Sequence, residues 1–333
     1  MTRYSIQSET FGAHEAWRLS DHLGGATALI ARRGATLLSW QVREGAHLRT
    51  LSDGHQTPAE LESQSGMRFG LMAPFSNRIA DARYSFDGIE HDLQPGVAGA
   101  QLGIRHGFVR HADFDLVDTL ADDTSALLRL STQVLRPGAF AGYPFSVDVE
   151  VAIRLRGSNL DYAIEARNVG TVAAPFGCGL HPYFRLADDG IERLELQVPA
   201  RALVLTDPAL IPQPGDAAFA AVEATPALDF RTPKTIAGRV IDQAYCDLLT
   251  DPDGVLRSRL RDPQSGIGVA VWQTRGMLHA FTGDTVSRDR RASVALEPVE
   301  FPTNAYNRED CAASLRLEPG AVRSFRCGFE VFG

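Results

Sequence analysis

Five short stretches of this sequence place an ionisable or strongly hydrogen-bonding residue inside apolar surroundings. Asn77-Arg78 follows the run Phe69-Gly70-Leu71-Met72-Ala73-Pro74-Phe75, and His106 stands between Arg105 and Gly107-Phe108. His181 lies between Cys178-Gly179-Leu180 and Pro182-Tyr183-Phe184. Asp242 follows Val240-Ile241, and Glu297 follows Val294-Ala295-Leu296. Burying such groups is unfavourable unless they are paired or used. Apolar surroundings also shift proton affinities, which is the condition for acid–base chemistry. Each residue read singly has an ordinary alternative. A histidine beside Pro-Tyr-Phe fits a satisfied core histidine, and Glu297 before Pro298 fits a strand-end carboxylate. Only a fold that brings the five together makes them a site.

The elements available to position them are strands. In Val147–Arg156 the residues Val147, Val149, Val151, Ile153 and Leu155 alternate with Asp148, Glu150, Arg154 and Arg156. This alternation gives a strand one dry and one wet face. Gly157-Ser158-Asn159 supplies a turn, and Leu160, Tyr162, Ile164 and Ala166 resume the pattern, which predicts a hairpin. Phe325, Cys327, Phe329 and Val331 repeat it at the C-terminus. Shorter strands are expected at Leu194–Val198, Tyr84–Phe86 and Gly268–Trp272. Helical periods are scarce, with one short helix expected over Pro58–Ser65. Many short strands predict an all-β fold, a large antiparallel β-sandwich. Thr206–Pro233 carries Pro208, Pro212, Pro214, Pro226 and Pro233, but its interleaved apolar residues mark an ordered loop rather than a linker. Residues 1–333 are therefore expected to form a single domain.

Composition narrows the function classes. The 333 residues suffice to bury a sizeable core, and a net charge of −8 argues against a nucleic-acid-binding surface. The only lysine is Lys234; the other basic residues are all arginine. No apolar run reaches the roughly 20 residues of a membrane helix. The N-terminal sequence lacks the apolar core of a secretion signal, so the cytoplasm is the expected compartment. Cys178, Cys246, Cys311 and Cys327 are widely spaced and are expected as reduced packing residues, with no zinc-ligand spacing.

The same stretches, taken in order, resemble the aldose 1-epimerase (galactose mutarotase) family. Phe75-Ser76-Asn77-Arg78-Ile79-Ala80-Asp81-Ala82-Arg83-Tyr84-Ser85-Phe86-Asp87-Gly88 is similar to that family's Asn-Arg-Ile segment, which runs into a strand and an Asp-Gly turn. His181-Pro182-Tyr183-Phe184 resembles its His-Ser-Tyr-Phe box. Leu210-Ile211-Pro212, Leu228-Asp229-Phe230-Arg231 and Ile241-Asp242 follow in the family's order, and Leu296-Glu297-Pro298-Val299-Glu300-Phe301-Pro302 resembles its Glu-x-x-x-Phe-Pro box.

The resemblance implies a galactose mutarotase-like supersandwich with a sugar cleft, a small-molecule sugar as partner, and neither metal nor organic cofactor. It implies an isomerase that opens and recloses a hexose ring, with His181 as general acid and Glu297 as general base. It makes Asn77, Arg78, His106 and Asp242 ligands of sugar hydroxyls. A base must take the C1 hydroxyl proton while an acid protonates the ring oxygen. A carboxylate near His181 is expected to raise its pKa. Trp272, Phe281 and Tyr183 are candidates to face the apolar side of the sugar. Glu300 is a rival base, but its odd separation from Glu297 predicts the opposite face of a strand.

Some residues depart from the galactose enzymes at the substrate end. The chain has His106-Gly107-Phe108-Val109-Arg110 where those enzymes have His-Gly-Gly and an insert, a form found in bacterial side branches. It has Asp242-Gln243-Ala244-Tyr245 in place of Asp-His-Asn-Tyr, and Thr303-Asn304 after Phe301-Pro302. Arg105 and Arg110 flank His106, while Arg83 and Arg185 lie near two other boxes, so a mutarotase of a phosphorylated or sulfonated hexose is a second reading. A sugar-binding module without catalysis is a third, and a two-carboxylate glycosidase a weaker fourth. A monomer or homodimer fits all of them.

Overall fold

The computed structural model describes residues 2–98 and 103–333. The alternation in Val147–Arg156 forms a strand of those bounds, with Val147, Val149, Ile153 and Leu155 wholly buried. It pairs with Asn159–Asn168 from Val147 opposite Asn168 to Arg156 opposite Asn159, the predicted hairpin. That hairpin lies inside a nine-stranded antiparallel sheet. The sheet runs through Asp115–Ala121, Ala126–Leu135, the hairpin, Val322–Phe332, Gly268–Gln273, Leu256–Arg261, Glu195–Gln197 and Lys234–Thr235. Each fully buried Val, Ile or Leu side chain contributes about 1.5–3 kcal/mol relative to exposure.

A second sheet, of eight strands, carries most of the site. Its path is Phe219–Ala221, Ala200–Val204, Asp242–Leu248, Met277–Phe281, Val294–Val299, Gly179–Leu180 and Leu71–Met72, with Tyr183–Phe184 also paired to Val294–Val299. The third sheet, of five strands, folds from the N-terminal part of the chain: Tyr4–Phe11, His14–Asp21, Thr27–Ala31, Leu37–Glu44 and His47–Thr50. One aromatic cluster joins all three. Phe184 of the second sheet meets Phe329 of the first edge-on at 5.2 Å, and Trp40 of the third lies 6.4 Å from Phe184 and 6.0 Å from Phe329. Edge-to-face contacts of this kind add about 0.5–1.5 kcal/mol each to simple burial.

The expected helix is present over Pro58–Ser63. Thr57 caps it by accepting a hydrogen bond from Glu60 N, and Gln64, at φ 51°, ends it in the left-handed conformation. A second helix, Glu309–Leu315, was not anticipated. It is short, and its acidic first turn (Glu309, Asp310) and its buried pair Cys311 and Leu315 are its only sequence signals. Thr206–Pro233 contains the strand Phe219–Ala221 and buries Val222 and Phe230, which anchors it to the core. All four cysteines are buried and free. Among the described residues no helix is long and apolar enough to cross a membrane.

Candidate active site

The register of the second sheet brings three ionisable residues onto one face. His279 sits directly opposite Glu297, and Asp242 opposite Phe281, in the pairings of Met277–Phe281 with its two neighbours. Alternation then turns Leu278, Ala280 and Leu296 into the core and leaves Asp242, His279 and Glu297 facing a cavity of about 380 Å³. His279 Nε2 donates to Asp242 Oδ1 at 2.7 Å. His279 is a residue that the sequence reading missed. The rule that singled out Glu297 applies equally to it, since Met277-Leu278-His279-Ala280-Phe281 is an ionisable group in an apolar run.

His181 enters the cavity from the link between Gly179–Leu180 and Tyr183–Phe184. Its backbone is fixed at both polar groups: Phe69 N donates to His181 O at 2.9 Å, and His181 N donates to Gly70 O at 3.1 Å. Its ring stacks on Tyr183 at 5.0 Å, and its Nε2 lies 3.3 Å from Glu297 Oε1. Behind Tyr183 a buried cluster holds the wall. Arg68 packs over the Tyr183 ring and pairs with Asp53, which also accepts from Ser293 Oγ at 2.6 Å. Tyr183 and Phe281 line the cavity. Trp272 does not; it packs against Gly328 on the nine-stranded sheet.

Asn77 and His106 reach the cavity through unusual backbone. Both are left-handed, at φ 56° and 63°, and His106 N donates to Asn77 O at 2.8 Å, so the two are placed as a unit. Gly107 follows at φ 62°, where an added Cβ would lie 2.0 Å from Ala73 O. Only glycine fits this approach. Arg78 and Arg105 face each other in the two-residue pairing of Arg78–Ile79 with Ile104–Arg105. Asn77, Arg78, His106, His181, Asp242 and Glu297 thus share one cavity.

Burial dominates the electrostatics. It raises the Glu297 carboxyl to about 7, with the Asp242 charge adding to it and the His279 and Arg78 charges opposing. Burial also pushes His181 down to about 3, and the His279 charge adds to that. The expectation of a raised His181 is therefore overturned: desolvation of the imidazolium outweighs the Asp242 charge. Burial likewise takes His106 well below its ordinary value. Burial opposes charge on His279 too, but Glu297 and Asp242 outweigh it and raise its pKa. Asp242 is held below the usual carboxylate range by the His279 hydrogen bond and charge, against its own burial. Of His181 and His279, His279 is thus the one whose surroundings favour the imidazolium.

Other candidates lie elsewhere. Glu300 is buried outside the cavity, accepting from Cys178 N and Arg275 Nε, each at 3.1 Å. Of the four arginines near the sequence boxes, Arg105 and Arg110 line the cavity. Arg83 pairs with Asp92, and Arg185 lines a larger, more open groove of about 960 Å³. That groove is charged, and Arg193 matches part of it by bridging Asp189 and Asp262. His55 lines it too, but among the described residues it lies in no ion pair with a carboxylate. Among the described residues no cluster of His, Cys, Asp and Glu is arranged to hold a metal ion.

Comparison with known proteins agrees with this architecture. The profile of the aldose 1-epimerase family matches residues 15–330. The uncharacterized protein YihR of Escherichia coli (strain K12) is 27% identical over 264 residues, covering 79% of this chain and 78% of that protein. An aldose 1-epimerase of the same organism is 27% identical over 221 residues, covering 65% of this chain and 60% of that enzyme. The crystal structure of a galactose 1-epimerase from Lactobacillus acidophilus NCFM superposes with a TM-score of 0.82 at 17% identity, covering 100% of this chain and 99% of that one. An aldose epimerase homologue from C. elegans gives 0.78 at 18% identity, over 93% and 96% of the two chains. At these identities the structural likeness is one of fold.

Proposed function

Because the chain belongs to the aldose 1-epimerase family, we propose that it is a mutarotase, an isomerase that interconverts the α and β anomers of a hexose. Glu297 takes the C1 hydroxyl proton and His181 delivers a proton to the ring oxygen. The aldehyde turns about C1–C2, and the ring recloses on its other face with the two roles exchanged. The observation that carries this reading is the 3.3 Å separation of His181 Nε2 and Glu297 Oε1 within one cavity. The two exchanging oxygens of a hemiacetal are both bonded to C1, so a close acid–base pair spans them.

The pair needs one mobile proton. Before ring opening it is on the His181 imidazolium beside the Glu297 carboxylate; afterwards it is on the Glu297 carboxyl beside a neutral imidazole. The shifted values make the second arrangement the resting one. Loading the proton onto His181 is therefore part of the barrier. The Arg78 charge reduces it by favouring the Glu297 carboxylate, whereas the His279 charge favours that carboxylate and disfavours the His181 imidazolium alike. A histidine that holds its proton weakly is also a strong donor to the ring oxygen. Asn77, Arg78, His106 and Asp242 hold the hydroxyls, with Tyr183 and Phe281 on the apolar side of the sugar.

Polarimetry on freshly dissolved α-D-glucose and α-D-galactose tests the reading, with wild type, Glu297→Gln and a protein-free control run side by side. Acceleration over the spontaneous rate by wild type alone is the expected result. No acceleration of any free or substituted hexose would overturn it.

A further inference from the structure

Behind the cavity wall lies an ion pair that the acid–base chemistry does not use. Asp53 and Arg68 are both buried and are bonded to each other. Arg68 Nη1 and Nη2 also donate to the backbone carbonyls of Asp53 and Arg288, each at 3.3 Å, so the guanidinium has one fixed place. Asp53 in turn accepts from Ser293 Oγ at 2.6 Å and from Arg288 Nη1 at 3.0 Å. Burial opposes the Asp53 charge, but Arg68, Ser293 and Arg288 together hold its carboxyl below the usual carboxylate range.

Both members of the pair reach the segment that carries the acid. The guanidinium carbon of Arg68 lies over the Tyr183 ring, 5.0 Å from its centroid. The His181 imidazole stacks on that same ring, also at 5.0 Å, with 13° between the two planes. Asp53 N donates to Tyr183 O at 2.9 Å, and Phe69 N, one residue beyond Arg68, donates to His181 O at 2.9 Å. Two backbone hydrogen bonds and one cation–π contact thus tie His181 and Tyr183 to the pair. Stability alone does not account for it, because a buried ion pair is often no better a stabiliser than apolar side chains of the same volume. What the pair supplies is a rigid planar backing for a ring that lies almost parallel to the imidazole.

Resting on the mutarotase reading, we propose that Arg68 and Asp53 are positioning residues: acting through Tyr183, they hold the His181 ring where its Nε2 meets Glu297. Asp53 orients Arg68, Arg68 fixes the Tyr183 ring, and the Tyr183 ring sets the tilt of the imidazole. Neither Arg68 nor Asp53 lines the cavity, so neither is placed to meet the sugar.

The test compares wild type with Arg68→Met, Arg68→Lys, Asp53→Asn and Ser293→Ala. Ser293→Ala removes a bond to the same carboxylate and leaves the Arg68–Tyr183 contact in place, so it reports destabilisation alone. Anomer exchange is measured well below each melting temperature. NMR follows the ring protons of His181, which the ring current of a stacked Tyr183 displaces. Arg68→Met and Asp53→Asn should each lower kcat by about ten- to a hundredfold, since displacements near 1 Å suffice for that. KM should change by less than about threefold, because the ligands of the sugar hydroxyls stay in place. Arg68→Lys keeps the charge beside Asp53 but not the planar fork; it guards against loss of the fold and should lower kcat by less. The His181 ring signals should move in the Arg68 and Asp53 variants. Ser293→Ala should melt lower, yet keep kcat and those signals. Equal losses of kcat in Arg68→Met and Ser293→Ala, or no loss in either Arg68→Met or Asp53→Asn, would overturn the positioning role and leave the mutarotase reading standing. Wild type that exchanges no hexose would overturn the mutarotase reading. The hold of Arg68 on the His181 ring is then decided by NMR, and ring signals unmoved in Arg68→Met would overturn it.

Discussion

His279 faces Glu297 across the antiparallel pairing of Met277–Phe281 with Val294–Val299, and its Nε2 is tied to Asp242 at 2.7 Å. The imidazole therefore stands between two carboxylates, and its charge favours ionised Glu297 against the effect of burial. His279→Asn removes that cation. We expect the alkaline limb of the pH–rate profile to move up by about one pH unit and kcat/KM to fall by about tenfold. A lower rate with an unmoved limb would reduce His279 to a packing residue.

In the mechanism we propose, the pH dependence of wild type follows from the single mobile proton of the His181–Glu297 pair. Its productive state holds that proton on His181 with Glu297 ionised. It is available only between the step at about 3, where the pair gains a second proton, and the step at about 7, where it loses its last. Activity should accordingly decline as pH rises through about 7. Should kcat/KM instead climb through that range, Glu297 acts as a base without a proton from His181.

Glu297→Gln and His181→Asn should each reduce kcat by about a hundredfold or more while the protein stays folded. Glu300→Gln separates chemistry from structure. Its carboxylate accepts from Arg275 and Cys178 and does not line the cavity. We expect it to lower stability by about 1–3 kcal/mol and to retain kcat. A Glu300→Gln protein as inactive as Glu297→Gln, with an unchanged melting curve, would reassign the base.

Gly107→Ala tests the backbone that carries His106. The new Cβ would meet Ala73 O at 2.0 Å at a residue whose φ is 62°, so the two segments must separate. A lower melting temperature is expected, with kcat/KM down by about a hundredfold, since displacements near 1 Å suffice for that. Wild-type kcat/KM in this variant would show that the position of His106 does not matter to turnover.

The fold was readable wherever one face of a strand is dry and the other wet, because burial on one side imposes alternation. Val147–Arg156 and Asn159–Asn168 show this most clearly. The helix Glu309–Leu315 was not readable, since two turns give too few apolar positions to establish a period. At the candidate site, the stretches around Asn77, His106, His181, Asp242 and Glu297 stand out by residue type. Their meeting depends on long-range register and on left-handed backbone at Asn77 and His106, neither of which local sequence encodes. His279 went unnoticed because the apolar run around it is short. The proton affinity of His181 was misjudged because burial is a property of the assembled fold, and there it outweighs the neighbouring charges.

The two-residue strand Tyr183–Phe184 belongs to two environments at once: Tyr183 stacks on His181, while Phe184 packs into the aromatic cluster shared by the three sheets. The two side chains share one short backbone segment, so losing the packing of Phe184 against Trp40 and Phe329 removes the support of the Tyr183–His181 stack as well. Thermal inactivation should in consequence coincide with global unfolding, with no intermediate stage in which the chain is intact but the acid–base pair is misaligned.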